Sequence, residues 1–298
     1  MPKLNLPSPL QQLSSPLFDS KSVTVYVKRE DLIHPIIGGN KWRKLKYNIH
    51  EIETNNQQTV LSFGGAYSNH IYALAGAGNI YGFNTIGIIR GERHEPLNPT
   101  LEFANKMGMQ LHYVSREAYR RKESDSFIAE LKDKFGQFIL LPEGGSNQHA
   151  LRGCAEIMDE LDEQLEDCDY VCLPCGTAGT LSGLISSQTK KRLLAIAVLK
   201  NAGFLRESVN ELLPDNKGVN WTINLDYHFN GYAKKTPELT TFISDFKREF
   251  NIPLEPVYSG KLFYGLIDLI QKDYFPRGTK IVALHTGGLQ NSKDNTLS

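Results

Sequence analysis

Short apolar, β-branched runs alternate along this chain with longer amphipathic stretches. The runs at 23–27, 59–63, 85–89, 110–114, 138–141, 170–173, 193–198, 221–225 and 280–284 predict strands. Between them, helices are predicted over 41–53, 68–81, 100–106, 116–134, 147–164, 180–187, 237–250 and 261–272. Most of the strand runs are apolar at successive positions, so both of their faces are expected to be buried. That is the signature of parallel sheets covered by helices, and the predicted fold class is α/β. No low-complexity linker, charge block or repeat marks a domain boundary, so any division into lobes rests on how the strands cross between sheets.

At 298 residues the chain can bury a large core, and two lobes are expected. Lys plus Arg and Asp plus Glu both number 33, so no basic field exists to attract nucleic acid, and a small-molecule partner is expected instead. The first 18 residues are broken by prolines at 2, 7, 9 and 16 and lack the apolar core of an export signal. The longest apolar runs, such as 193–199, fall well short of the roughly 20 residues that cross a bilayer. A soluble, cytoplasmic protein without membrane association is expected. Three of the four cysteines, Cys168, Cys172 and Cys175, read C-x3-C-x2-C, a spacing known from iron–sulfur and redox sites. A second CxxC or a histidine pair at ligand spacing is missing, so no metal is expected. Residues 169–174 read as a short buried strand with Cys172 in the core and Cys175 opening the next loop.

Candidate chemistry begins at Gly38-Gly39-Asn40-Lys41-Trp42-Arg43-Lys44-Leu45, where a lysine stands behind a glycine pair and ahead of a basic helix. A lysine becomes a nucleophile when desolvation or neighbouring cations lower its pKa, and Arg43 and Lys44 lie within one helical turn. Taken alone, such a lysine is more commonly a solvated surface charge. Glycine-rich turns follow several strands, at 64–65, 144–145, 176–183 and 287–288. Each could simply close a tight turn, but together they lie where ligands bind, beyond the carboxyl ends of parallel strands. The turn Cys175-Gly176-Thr177-Ala178-Gly179-Thr180-Leu181-Ser182-Gly183 combines glycines, threonine hydroxyls and a following helix, and is the chain's best phosphate site. It has neither dinucleotide nor P-loop spacing, which disfavours a nucleotide-dependent transferase.

Taken in order, Gly38-Gly39-Asn40-Lys41, Ser68-Asn69-His70, Glu143-Gly144-Gly145-Ser146-Asn147, the threonine-glycine loop, Pro256-Val257-Tyr258-Ser259-Gly260-Lys261 and His285-Thr286-Gly287-Gly288 resemble one family. It is the group of pyridoxal-phosphate enzymes that contains 1-aminocyclopropane-1-carboxylate (ACC) deaminase and D-cysteine desulfhydrase, with the tryptophan synthase β-subunit fold. The resemblance implies that Lys41 carries the cofactor as a Schiff base and later moves the α-proton, and that Asn69 bonds the cofactor's phenolic oxygen. It also implies that Lys44 and the loop Cys175, Gly176, Thr177, Ala178, Gly179 and Thr180 grip the phosphate. Ser68, Asn69 and His70 would meet the substrate carboxylate, with Ser68 helping to move a proton. The other readings are a helix N-cap for Ser68 and a packed or solvent-facing ring for His70.

Tyr258 would lie against the cofactor ring, with Tyr232 as a second active-site tyrosine or, alternatively, a core aromatic. Family members usually carry glycine after that second tyrosine, and this chain has Ala233. ACC deaminases typically carry an acid after the first tyrosine, where this chain has Ser259, which with Thr286 offers only neutral hydroxyls to the pyridine nitrogen. A less strongly protonated ring suits β-elimination better than cyclopropane opening. The expected activity is therefore β-elimination of a D-cysteine-like substrate to pyruvate, ammonia and sulfide. The alternatives are ACC deaminase, giving 2-oxobutanoate and ammonia, or a non-catalytic pyridoxal-phosphate-binding protein. Trp42 replaces a small residue and either narrows the substrate channel or fills a core gap. The resemblance further implies a large lobe of 1–48 and 146–298, a smaller mobile lobe of 49–145, the cofactor in the cleft between them, and a homodimer.

Overall fold

The computed structural model describes residues 2–55 and 58–291, so Met1 and 292–298, the ends of the expected large lobe, lie outside the described residues. The strands are Leu10–Leu13 (β1), Thr24–Lys28 (β2), Thr59–Gly64 (β3), Asn84–Arg90 (β4), Gln110–Val114 (β5), Ile139–Leu141 (β6), Tyr170–Cys175 (β7), Arg192–Ala197 (β8), Trp221–Asn224 (β9) and Lys280–Leu284 (β10). They form a six-stranded sheet in the order β1-β2-β10-β7-β8-β9 and a four-stranded sheet in the order β5-β4-β3-β6. Edge strand β1 runs antiparallel to β2, and the other pairings among the described residues are parallel.

The period of two along each strand sends alternate side chains to opposite faces, and each face has its own apolar cluster. On one face of the larger sheet, Cys172, Leu194, Ile196, Ile281 and Ala283 pack against Phe246, Phe263 and Leu266. These come from Pro237–Phe250 (α10) and Ser259–Gln271 (α11). On the other face, Val171, Leu173, Leu193, Ala195, Val282 and Leu284 meet Ile157, Leu181, Leu184 and Val209. Those belong to Gln148–Gln164 (α7), Gly179–Ser186 (α8) and Leu205–Leu212 (α9). In the smaller sheet Val60 and Ile89 face Asn69–Tyr81 (α3) and Pro99–Lys106 (α4). Leu61, Phe63, Ile86 and Ile88 face Arg116–Arg120 (α5) and Asp125–Phe135 (α6).

The helix Asn40–Thr54 (α2), which carries Lys41, is fixed by a buried charge network. The Arg43 guanidinium donates to both Glu30 carboxylate oxygens at 2.9 Å and reaches Glu160 at 2.8 Å. Lys28 Nζ joins the same Glu160 at 2.7 Å and also donates to Gln164 Oε1 and to the Ser8 carbonyl. Lys46 and Tyr47 extend the seam by bonding Glu156 on α7.

Two local expectations are corrected, and the first segment holds elements that were not predicted. The predicted helix 116–134 is two helices, because Ser124 caps α6 by accepting from Phe127 N at 3.4 Å and ends the periodic run there. The proline-broken first segment contains β1 and the short helix Pro16–Lys21 (α1), which Pro16 starts at its first turn. Cys175 closes β7, where it pairs with Ala197, and does not open the following loop. All four cysteines are free, and burial pushes the Cys154 and Cys175 thiols up to about 11, so both are neutral near pH 7.

Arg43→Met should cost about 3–5 kcal/mol in unfolding free energy, because it leaves the Glu30 carboxylate buried without its partner. Urea denaturation checks this, and a loss below about 1 kcal/mol, the level of a surface pair, would mean the network does not fix α2.

Candidate active site

The carboxyl ends of β3, β6, β7 and β10 converge on a cleft of about 580 Å³ whose walls include Lys41, Lys44, Ser68, Asn69, His70, Tyr232, Tyr258 and Thr286. Two segments distant in the chain meet at its floor. Gly39 takes φ +67°, and a Cβ there would lie 2.1 Å from the Thr286 carbonyl oxygen. Only glycine permits that approach, which lets Asn40 N donate to the same carbonyl at 3.3 Å and places Lys41 as the second residue of α2. Lys41 keeps some surface open to the cleft, yet desolvation and then the neighbouring Lys44 ammonium bring its pKa down to about 7. Arg43, expected to share in that effect, faces the other way into the Glu30 and Glu160 carboxylates.

One turn beyond Lys41, Lys44 Nζ is buried and donates to the Gly144 carbonyl and to Ser146 Oγ, each at 3.0 Å. Burial lowers its pKa as well. Among the described residues neither lysine forms an ion pair, so the pair has the electrostatics of an anion site. The loop from β7 to α8 faces them. A Cβ on Gly179 would fall 2.3 Å from Ser146 Oγ and 2.8 Å from Lys44 Nζ. Ala178 adopts φ 58° to turn the chain into α8, and Thr180 Oγ1 accepts from Asn40 Nδ2 at 3.0 Å. Backbone N–H groups at a helix start, a threonine hydroxyl and the buried Lys44 side chain fit a phosphate, and the Lys41 amine beside them, with its pKa of about 7, fits an aldehyde. With its thiol neutral, Cys175 contributes to this wall through backbone and bulk.

On the opposite wall Ser68 caps α3, accepting from Ile71 N at 3.2 Å. The same turn buries His70, whose Nε2 lies 2.8 Å from Ser62 Oγ. The Ser62 hydroxyl donates to the Leu141 carbonyl at 2.8 Å, which leaves its oxygen to accept from Nε2–H. Nδ1 is then a bare acceptor with no partner among the described residues, and desolvation followed by Lys41 and Lys44 holds the ring neutral. Asn69 Oδ1 accepts from Gln290 Nε2, which ties α3 to the turn after β10. Tyr258 and Tyr232 meet edge to face, with centroids 6.1 Å apart and planes at 74°. Burial pushes both phenols up, so they are neutral. Ala233 takes φ 55°, so it adopts the left-handed conformation that a glycine would take there.

Ser259 is not brought to the cleft wall. It is fully buried, its Oγ accepts from Glu255 N at 2.9 Å, and its hydrogen is directed to the Glu255 carboxylate at 3.2 Å. That carboxylate also accepts from Val257, Tyr258 and Ser259 N at 2.7 Å each. Trp42 is buried in the apolar cluster shared with Ile37, Leu74 and Ile71, so it fills core and does not line the cleft. The walls also hold Arg90, Lys122 and Ser146, none of which was singled out as a site residue. Arg90 ends β4, a position that parallel strands reserve for ligand contacts, and that signal was available in the sequence. Lys122 lies in the unforeseen break between α5 and α6.

Residues 3–287 match the family described as pyridoxal-phosphate dependent enzyme, and this chain belongs to it. Its cofactor is accordingly pyridoxal phosphate, and its fold is that of the tryptophan synthase β-like enzymes. More particularly, it is 31% identical to the bifunctional D-cysteine desulfhydrase/1-aminocyclopropane-1-carboxylate deaminase, mitochondrial, of Arabidopsis thaliana, over 96% of this chain and 77% of that protein. It is 28% identical to 1-aminocyclopropane-1-carboxylate deaminase of Rhizobium rhizogenes, with 94% and 90% covered, and 25% identical to D-cysteine desulfhydrase of Klebsiella pneumoniae, with 96% and 94% covered. The crystal structure of an ACC deaminase homologue superposes with a TM-score of 0.83 at 28% identity, over 97% of this chain and 92% of that one. No described helix is long and apolar enough to cross a membrane.

Lys44→Met should weaken pyridoxal-phosphate binding by about thirtyfold, the loss of one buried charge-assisted partner. Inorganic phosphate should raise the melting temperature of the cofactor-free wild type and leave that of the variant unmoved. Equal phosphate stabilisation of both proteins would place the anion elsewhere.

Proposed function

We propose that this enzyme acts on a small amino acid and that its main activity is β-elimination, converting a D-cysteine-like substrate and water to pyruvate, ammonia and sulfide. The observation that supports this reading is the lack of a free acid at or behind the stretch of wall formed by Thr286, with Ser259 buried away from the cleft. Position 259 supplies no acid, the nearby Glu255 carboxylate is committed to three backbone N–H groups and the Ser259 hydroxyl, and Thr286 offers a hydroxyl. Two of the relatives described above carry D-cysteine desulfhydrase in their names, which supports the same choice.

Bound pyridoxal phosphate supplies an aldehyde for the substrate amine and an electron sink for the α-carbon. The protein's own groups do the rest. Lys44, with the loop Gly176 to Thr180, holds the phosphate. Backbone N–H groups at the start of α3, flanked by Ser68, Asn69 and His70, hold the substrate carboxylate, since the neutral His70 ring brings no charge to it. Lys41, with a pKa of about 7, is poised to take the α-proton at neutral pH, with Ser68 beside the path. Tyr258 and Tyr232 bring neutral phenols to one side of the site. Residues 1–48 and 146–298 form the larger lobe in this reading, 49–145 move as the smaller one, and the enzyme works as a homodimer in the cytosol.

ACC deaminase activity is the second reading, favoured by the names of the Arabidopsis and Rhizobium relatives. A non-catalytic binding protein is disfavoured by a lysine amine poised near neutrality.

A panel of D-cysteine, L-cysteine, β-chloro-D-alanine, D-serine and ACC, scored for oxo-acid release, should give pyruvate from D-cysteine and β-chloro-D-alanine and little 2-oxobutanoate from ACC. Faster release from ACC would reverse the assignment. Attachment of pyridoxal phosphate to cofactor-free protein requires neutral Lys41, so its rate should climb between about pH 6 and 8 and then level off. A rate still climbing near pH 10 would indicate a lysine of ordinary pKa.

A further inference from the structure

Lys261, the third residue of α11, is a fully buried cation with no part in the chemistry described so far. Its Nζ donates to the Val198 carbonyl at 3.0 Å, the His228 carbonyl at 2.9 Å and the Gly231 carbonyl at 2.7 Å. Three acceptors match the three N–H bonds of an ammonium group. Two of the carbonyls belong to a loop with an unusual backbone: Phe229, Asn230, Gly231 and Ala233 have φ of 49°, 65°, 114° and 55°. A left-handed conformation is strained for a non-glycine residue, so such a loop persists only where its surroundings fix it. Its own backbone bonds are sparse, Gly231 N to the His228 carbonyl at 2.9 Å and Lys234 N to the Gly231 carbonyl at 3.3 Å. Tyr232 sits at the centre of this loop and projects to the cleft. Tyr258, its edge-on partner, is the residue that precedes α11, three positions before Lys261.

We infer that Lys261 is a positioning residue: its ammonium ties the strained 228–233 loop to the start of α11 and so holds Tyr232 against Tyr258 at the cleft. The ammonium carries no carboxylate partner at ion-pair distance among the described residues, so its bonds go to backbone carbonyls, which makes the loop's shape depend on one side chain. The inference rests on Tyr232 serving the active site as proposed above. The loop's attachment can nevertheless be read without turnover.

The test compares wild type with Lys261→Met and Lys261→Ala, using amide hydrogen exchange over 226–233, cofactor affinity, steady-state kinetics on the best panel substrate, and added methylammonium chloride. Lys261→Met should keep cofactor affinity, since the phosphate cradle is untouched, while exchange in the loop accelerates. Its kcat should fall about a hundredfold, the cost of misplacing a contact by about 1 Å, with KM changing less. Methylammonium should slow loop exchange and restore kcat in Lys261→Ala, and leave wild type unaffected. If Lys261→Met does not fold, recovery of folded Lys261→Ala in methylammonium supports the tie, and failure to recover overturns it. Unchanged loop exchange in a folded variant also overturns it. If wild type turns over no substrate of the panel, the activity reading fails while loop exchange and its rescue still decide this one.

Discussion

The arrangement depends on how α2 divides its basic residues. Arg43 and Lys46 lie three residues apart and meet the acids of β2's neighbour Glu30 and of α7, whereas Lys41 and Lys44, also three apart, turn to the opposite side. The acids are consumed on one face, so on the other face Lys41 and Lys44 form no ion pair among the described residues. A protein tolerates that when an anion completes the site or when the amines lose protons, and burial here lowers the pKa of both lysines, that of Lys41 to about 7. The same network that stabilises the helix thereby sets the chemistry of the cleft.

Close backbone approach is the second constraint. Gly39 against the Thr286 carbonyl and Gly179 against Ser146 and Lys44 bring elements from distant parts of the chain to one point. The Gly179 contact joins the floor supplied by the larger sheet to Ser146, just past the Glu143–Gly145 turn that follows β6 of the smaller one. Trp42 strengthens the same junction from behind by filling the core between α2 and α3.

Much of this was legible in the sequence because the responsible signals are local. Buried parallel strands read as unbroken apolar runs, and nine of the strands were placed within about two residues, the usual error at element ends. The glycine turns and Lys41 were legible for the same reason, since a tight turn or a phosphate loop restricts residue type directly. Direction was not legible. Whether Arg43 would face Lys41 or Glu30, and whether Ser259 would face the cleft or Glu255, is decided by packing between residues far apart in sequence. The break in 116–134 was hidden because its flanks are both helical in pattern, and only the Ser124 cap marks it. The neutrality of His70 depends on Ser62 and on the two lysines, which meet it only in the folded chain.

The central claim is that the α2 charge division makes Lys41, and no other lysine, the residue that bonds the cofactor. Borohydride reduction of the loaded enzyme followed by peptide mass mapping tests it most directly. The phosphopyridoxyl mass should appear on Lys41 alone, while Lys44 and Lys261 remain unmodified. Its appearance on Lys44, or its retention in Lys41→Ala, would contradict the account.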